Sequence, residues 1–144
     1  MKTTILALDL GQTRIGVAIG LPAATMALPK CVITRKNRQT DLEALLQIAQ
    51  EENANAWVVG LPRQADDSLG PSAMKAISFA KRLKHVSRLP LYFVDEWETT
   101  VEAQQIMLAA DASRRKRRQN VDKLAACLIL ERYFQNGPLD INID

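Results

Sequence analysis

Three short apolar runs, separated by polar and turn residues, dominate the first quarter of the chain. They cover residues 3–9, 15–19 and 28–34, and Gly11 lies in the short connection between the first two. Apolar runs of this length are typical of buried strands, and a short connection that contains glycine indicates a hairpin. The pattern therefore predicts an antiparallel meander of three strands.

After this meander the pattern alternates between helical and strand spacing. Thr40 and Glu43 have the Thr-x-x-Glu spacing of a capping box, as do Thr99 and Glu102, and Pro71 occupies a favoured first position of a helix. The predicted elements are a helix over 40–49, a strand over 56–60, a helix over 71–83, a strand over 91–94, a helix over 99–110 and a last helix over 121–134.

The order of these elements predicts an α/β fold with a mixed five-stranded sheet that is flanked by helices. The first, fourth and fifth strands can run parallel, so their carboxyl ends share the edge at which open α/β sheets bind ligands. A length of 144 residues fits one domain. We expect this domain to cover residues 1–136 and residues 137–144 to form a loose C-terminal tail.

Composition restricts the class of protein without naming its function. Hydrophobic residues make up 47% of the chain and charged residues 24%, with no run that could cross a membrane. Asp9 interrupts the N-terminal apolar stretch, which argues against a signal peptide and indicates a cytoplasmic protein. Cys31 and Cys127 are far apart and are expected to be reduced thiols.

The charge is segmented. Although the net charge is +3, residues 112–123 carry +5 and residues 95–111 carry −5. Basic clusters favour polyanionic partners, and an acidic block beside them is consistent with a site that binds cations. Solvated surface charge is the alternative for either block.

Carboxylates mark the ends of two strands that are predicted to be parallel. Asp9 ends the first strand, and Asp95 and Glu96 follow the fifth, so Asp9 and Glu96 are expected at the same edge of the sheet. Asp122 lies in the predicted first turn of the last helix, where it could also serve only to interact with the helix dipole. Converging carboxylates repel one another unless oxygen-liganded divalent cations compensate them. His85, with basic neighbours, is expected at the surface.

Four motifs in this order resemble the YqgF (RuvX-like) family of pre-16S rRNA nucleases, whose members are also described as Holliday-junction-resolvase-like. The motifs are Asp-x-Gly-x-x-Arg-x-Gly-Val-Ala at 9–18, Val-Val-Gly-Leu-Pro at 58–62, Asp-Glu-x-x-Thr-Thr-Val-Glu-Ala at 95–103 and Val-Asp-Lys-Leu-Ala-Ala at 121–126.

This resemblance implies a ribonuclease H-like fold and a nuclease site that holds one or two Mg²⁺ or Mn²⁺ ions. It places the catalytic, metal-binding carboxylates at Asp9, Glu96 and Asp122, with Asp95 as an auxiliary acid. It also implies a bacterial protein that trims the 5′ end of precursor 16S rRNA.

The chain departs from the family pattern beside the predicted site. Family members commonly have arginine where this sequence has Trp97, and an apolar residue where it has Glu98. A tryptophan could stack on a base instead of contacting a phosphate. The polar loop after Pro62 is also less rich in glycine than is usual in the family.

A run of five cations at 114–118 precedes Asp122 and is expected to be a flexible loop that holds the phosphate backbone, or else a solvated connector. Few aromatic residues are present, so recognition of backbone and shape is favoured over extensive base stacking. The predicted nucleic-acid contacts are Arg14, Lys30, Arg63, Trp97, Arg114, Arg115, Lys116, Arg117, Arg118 and Lys123.

Three other functions compete with the nuclease that cleaves precursor rRNA. The Asp-Leu-Gly-x-Thr turn at 9–13 also resembles the first phosphate loop of sugar kinases and actin-like proteins, but 144 residues leave room for only one of the two domains which that superfamily needs. A Holliday junction resolvase would cut branched DNA as a dimer. A non-catalytic RNA-binding assembly factor would not need the carboxylates. We expect a monomer or a weak homodimer with RNA as its partner.

Overall fold

The computed structural model describes residues 3–62, 69–95 and 114–141, with the backbone alone described for residues 114–123. A short 3-10 turn over Pro22–Ala24 joins the second and third strands. The elements are β1 (Ile5–Leu10), β2 (Arg14–Leu21), β3 (Met26–Thr34), α1 (Arg38–Glu51), β4 (Ala56–Leu61), α2 (Pro71–Ser87), β5 (Leu91–Asp95) and α3 (Arg114–Asn136).

The strands form one sheet in the order β3-β2-β1-β4-β5. β2 is antiparallel to both β1 and β3, whereas β4 is parallel to both β1 and β5. Leu8 is aligned with Val59, which is aligned with Phe93, so the carboxyl ends of β1, β4 and β5 lie at a common edge. The predicted mixed five-stranded sheet and its parallel strands are confirmed.

One face of the sheet packs against α1 and α2 through large side chains. Trp57 and Phe93 are almost completely buried there, and the Trp57 indole Nε1 donates a hydrogen bond of 2.9 Å to Ser87 Oγ at the end of α2. The helices contribute apolar residues at intervals of three and four, which is the spacing that keeps them on one helical face. Those residues are Leu42, Leu45, Ala49, Ala73, Ala76, Phe79, Ala80 and Leu83.

The opposite face packs against α3 through smaller side chains. Ala7 and Ala18 from the sheet meet Ala126 and Cys127 from the helix. At Gly20, a Cβ atom would lie 2.8 Å from Leu130 Cδ2, so the absence of a side chain allows α3 to approach β2 closely. Because strand residues alternate between faces, Asp9 follows Ile5 and Ala7 on this α3 face.

The start of α1 differs from the prediction. Asn37, not Thr40, is the N-cap residue, and its Oδ1 accepts a hydrogen bond of 2.8 Å from the Thr40 backbone N–H. The predicted capping box at Thr40 and Glu43 is therefore wrong, because asparagine is a strong N-cap residue and Thr40 already lies within the helix. Glu43 instead accepts a hydrogen bond from Gln39 Nε2.

The start of α3 is also earlier than predicted. The helix begins at Arg114 rather than at Val121, consistent with the good helix propensity of arginine and lysine. The run of cations at 114–118 is thus helical and not a flexible loop, and Asp122 lies more than two turns into α3 rather than in its first turn. The predicted helix over 99–110, with its capping box, lies outside the described residues.

Residues 137–141 follow α3 and contact the sheet, although the sequence pattern suggested a loose tail. Gly137 has a φ of 73°, and its N–H donates to Tyr133 O, as is common at the end of a helix. The Leu139 N–H donates a hydrogen bond of 2.7 Å to Phe93 O. Leu139 and Ile141 pack against the core on the α1 and α2 face.

Candidate active site

Asp9 lies next to the end of β1, at the edge shared by the parallel strands. Its Cα pairs with Gly16 of β2, and its side chain is half-buried. The Gly11 N–H after it donates to Asp9 O at 3.1 Å and to Arg14 O at 2.9 Å. A Cβ on Gly11 would lie 2.7 Å from Arg14 O, so this tight turn requires glycine. The turn therefore ends β1 one residue after Asp9.

Asp95 is the last residue of β5 and reaches the same edge. Only β4 separates β1 from β5, so the backbones of Asp9 and Asp95 are about 10 Å apart, from two strand spacings of about 4.8 Å. Asp95 follows Phe93 on the α1 and α2 face, whereas Val94 belongs to the α3 face with Asp9. The two acids therefore share an edge of the sheet but extend from opposite faces.

A side chain of α3 forms a hydrogen bond with this edge of the sheet. Arg132 Nη1 donates a hydrogen bond of 3.2 Å to Asp95 O, and Ala125 and Ala126 of the same helix are buried. This contact fixes the end of β5 relative to the helix that carries Asp122.

The predicted site residues are distributed unevenly over the described parts of the chain. Arg14 begins β2 opposite Thr34 and lies in the same turn region as Asp9. Arg63, Glu96 and Trp97 lie outside the described residues. Seven further predicted residues belong to the part of α3 for which only the backbone is described: Arg114, Arg115, Lys116, Arg117, Arg118, Asp122 and Lys123.

Lys30 has a local partner away from Asp9. It is the extra residue at the irregularity in β3 between Pro29 and Cys31, and its Nζ lies 2.9 Å from Glu52 Oε1, next to the C-terminal end of α1. The hydrogen bond and charge of Glu52 raise the pKa of Lys30. Its cation is therefore matched by a carboxylate, which makes it less available to a phosphate.

One arginine near Asp9 was not identified from the sequence. Arg35, just after β3, donates from Nη1 to Gly11 O at 2.8 Å. Its side chain also pairs with Asp41, which is only 2% exposed. An arginine just after a strand gives no sequence signal for such a contact, because the partner carbonyl lies in the turn between β1 and β2.

The donor chemistry at this edge fits a hard cation. Carboxylate oxygens are the usual ligands of Mg²⁺ and Mn²⁺, whereas His85 is exposed in the last turn of α2. Burial raises the pKa of the Cys127 thiol to about 11, which disfavours thiolate ligation. Within residues 3–62, 69–95 and 114–141, no cluster of three or more acids, histidines or cysteines is present. Glu96 and the side chain of Asp122 are not among these described residues.

The family model for RuvX, described as Holliday junction resolvase, matches residues 3–136. The chain belongs to the RuvX family. A protein of Moorella thermoacetica named "Putative pre-16S rRNA nuclease" is 42% identical over 137 residues, which cover 92% of this chain and 98% of that protein. A protein of the same name from Thermoanaerobacter pseudethanolicus is 40% identical over 133 residues, which cover 92% of this chain and 96% of the relative.

Solved structures show that this RuvX chain has the ribonuclease H-like fold of RuvC-type resolvases. RuvC of T. thermophilus in complex with a Holliday junction superposes with a TM-score of 0.61 at 15% identity, over 95% of this chain and 99% of RuvC. The fowlpox virus Holliday junction resolvase gives a TM-score of 0.54 at 13% identity, over 92% and 99% of the two chains. The predicted family, fold and nuclease class are confirmed. A nuclease is therefore favoured over the alternative of a sugar kinase or an actin-like protein.

In the described part of the chain, no helix combines the length and the hydrophobicity that crossing a membrane requires.

Proposed function

We propose that this RuvX protein is a divalent-metal-dependent nuclease that hydrolyses phosphodiester bonds at the 5′ end of precursor 16S rRNA. The observation that carries this proposal is the position of Asp9, half-buried at the carboxyl edge of three parallel strands and on the face that packs against α3. The names of the relatives that are about 40% identical support the choice of substrate.

Asp9, Glu96 and Asp122 are the proposed catalytic carboxylates. The sequence places Glu96 two residues after Val94, which is the interval at which strand residues return to one face. Asp122 precedes Ala125 and Ala126 by three and four residues, the intervals at which helix residues return to one face. Val94, Ala126 and Asp9 all belong to the α3 side of the sheet. These spacings support a common site, with Asp95 as an auxiliary acid on the other face.

The proposed ligands are oxygen atoms of these carboxylates, and Mg²⁺ or Mn²⁺ is the proposed cofactor. When bound, such an ion supplies Lewis-acid stabilisation of the charge that develops on the phosphodiester oxygens. The protein's own contribution is to hold Asp9 at a fixed position through the Gly11 turn and to limit its exposure to water, since its side chain is half-buried.

The nucleic-acid surface is proposed to comprise Arg14 and the cations at the start of α3. Arg14 shares the turn with Asp9, which places a cation at the edge where the scissile phosphate would bind. A helix rotates by about 100° per residue, so the run at 114–118 covers more than one full turn of α3. Arg63, Trp97 and Lys123 complete the proposed surface, with a smaller share for Lys30 because Glu52 already pairs with it.

Branched DNA is the second candidate substrate. The description of the RuvX family and the fold shared with RuvC both favour it. Cleavage of a four-way junction at paired positions would require two active sites, whereas trimming of an rRNA end requires one. We propose a monomer or a weak homodimer that acts in the cytoplasm, where bacterial rRNA is processed.

A cleavage assay on both substrates tests the proposal. The wild-type protein is expected to shorten precursor 16S rRNA in the presence of Mg²⁺ or Mn²⁺, and Asp9→Asn is expected to be at least about 100-fold slower, because the loss of one catalytic carboxylate removes several kcal/mol of transition-state stabilisation. Asp140→Asn, a change at an exposed aspartate of the C-terminal segment, is the matched control.

Undiminished cleavage by Asp9→Asn would disprove the assignment of the site. Cleavage of the junction but not of the RNA, lost in Asp9→Asn, would keep the site and change the substrate to branched DNA.

A further inference from the structure

Arg35 joins three parts of the molecule that are separate in sequence. Its backbone N–H donates a hydrogen bond of 2.8 Å to Thr13 O, and its Nη1 donates one of 2.8 Å to Gly11 O. Both acceptors lie in the turn between β1 and β2. Arg35 therefore holds two carbonyl groups of the turn that directly follows Asp9.

Asp41 holds the guanidinium of Arg35 in place. Arg35 Nε lies 3.4 Å from Asp41 Oδ2, and Asp41 Oδ1 accepts a hydrogen bond of 3.0 Å from the Lys36 N–H. The guanidinium also lies 5.1 Å from the centre of the Phe79 ring of α2. Asp41 is only 2% exposed, and a buried carboxylate is costly to leave without a partner. The arginine is thus fixed by α1 on one side and by α2 on the other.

The contact to Gly11 lies beyond the hydrogen-bonded ladder of the sheet. Pairing between β2 and β3 already extends to Arg14 and Thr34, and the backbone of Arg35 adds the bond to Thr13. The side-chain bond to Gly11 therefore acts on the turn and adds little to the sheet. The same glycine donates its N–H to Asp9 O at 3.1 Å, so the restraint reaches the backbone of the carboxylate residue.

We propose that Arg35, oriented by Asp41, is a positioning residue that fixes the turn at 10–14 and thereby presents the Asp9 carboxylate for binding a divalent cation. This inference rests on the proposed role of Asp9. Groups that orient metal ligands without touching the metal commonly change metal affinity by about 10- to 100-fold when they are removed.

A cycle of substitutions separates positioning from simple stabilisation. The variants are Arg35→Met, Asp41→Asn and the double variant, with Arg38→Met as the matched control. Arg38 is exposed in the first turn of α1 and donates from Nη2 to Ser78 Oγ at 3.1 Å, so it joins the same two helices without contacting the turn. The measurements are the Mn²⁺ dissociation constant by calorimetry, the thermal unfolding midpoint, and amide hydrogen exchange of residues 10–14 in metal-free protein.

Arg35→Met and the double variant are expected to weaken Mn²⁺ binding equally, by about 10-fold or more. Their stabilities are expected to differ, because Arg35→Met leaves a buried carboxylate without its cation, whereas the double variant does not. Exchange of the Gly11 amide is expected to be about 10-fold faster in both, as the turn opens more often. Arg38→Met is expected to retain the wild-type Mn²⁺ affinity and exchange rate.

If the Mn²⁺ affinities of the variants merely fall in parallel with their unfolding midpoints, Arg35 has only a structural role. If the Mn²⁺ affinity is unchanged in the Arg35 variants, the proposal is overturned. If Arg35→Met does not fold, the double variant and Arg35→Lys carry the test, since lysine keeps the charge but not the fork of donors. Wild-type Mn²⁺ affinity in Asp9→Asn would instead disprove the proposed active site. Loss of affinity in Asp9→Asn, with none in the Arg35 variants, would overturn this inference alone.

Discussion

The two faces of the sheet differ in the size of the side chains that they bury. The face under α1 and α2 is filled by Trp57, Phe93 and a set of leucines, whereas the face under α3 combines alanines with valines, isoleucines and Leu130, and Gly20 lies opposite that leucine. Burying a large apolar side chain contributes about 1.5–3 kcal/mol. We infer that most of the hydrophobic stabilisation comes from the first face.

The face under α3, which buries the smaller side chains, is the one that carries Asp9. Small residues allow the backbone of α3 to lie close to β1 and β2, and Asp9 is the next residue after Ala7 on this side of the sheet. A helix that packs closely can bring its own residues towards the edge of the sheet. The comparison therefore suggests that one face maintains the fold while the other sets the distance between the proposed carboxylates.

Truncation of Trp57 is expected to have the largest effect, and it tests the face under α1 and α2. Trp57→Ala should lower the free energy of unfolding by about 3–5 kcal/mol, because it leaves a cavity in the core and removes the partner of Ser87. Urea denaturation measures this change. Tyr92→Ala on β5 is the control, since Tyr92 is 37% exposed and packs against Tyr133 at the surface. Equal losses in the two variants would contradict the comparison.

Gly20→Val tests how closely α3 approaches β2. A Cβ here would lie 2.8 Å from Leu130 Cδ2 and 3.2 Å from Phe134 Cζ, so valine should destabilise the protein by about 1–3 kcal/mol through overpacking. Combining it with Leu130→Ala should cost less than the sum of the single changes, because the truncated leucine makes room for valine. Strict additivity in the double-mutant cycle would show that α3 does not contact β2 as described.

The buried thiol of Cys127, on the face under α3, predicts that the stability of the protein depends on pH. Burial, with a smaller contribution from the charge of Glu131, raises the pKa of Cys127 to about 11. In the unfolded chain the thiol loses its proton near pH 9, so between pH 9 and 11 the unfolded state binds fewer protons than the folded state. Stability should therefore fall as the pH rises through this window, by about 2 kcal/mol at most.

Cys127→Ala should remove this part of the pH dependence, and chemical denaturation at pH 8, 9, 10 and 11 compares the two proteins. The same slope in both would show that Cys127 is accessible to water in the folded state.

Much of the sheet could be predicted because its signals are local. The apolar runs, the turn at Gly11 and Pro71 at the start of α2 each reveal their structure within a few residues, and the parallel order of β1, β4 and β5 follows from the helices between them. The position of Asp9 at the carboxyl edge could be predicted for the same reason.

The features that were missed depend on competition or on distant partners. The spacing of Thr40 and Glu43 predicted the wrong N-cap, because Asn37, which is also a good N-cap residue, caps α1 instead. The cations at 114–118 suggested a loop because of their charge, yet they are good helix formers and the helix includes them. Arg35 contacts Gly11 from 24 positions away, and only the packing of β3 beside β2 brings them together.

The central claim is tested most directly by calorimetric titration of Mn²⁺ into the wild-type protein and into Asp9→Asn, which measures the affinity for the ion. The account predicts saturable binding of one or two ions by the wild type, and at least about 10-fold weaker binding by Asp9→Asn, since a carboxylate oxygen is a far better ligand than an amide. Asp140→Asn should bind as the wild type does. Equal Mn²⁺ affinity in Asp9→Asn and the wild type would contradict the role of Asp9 as a metal ligand at this edge of the sheet.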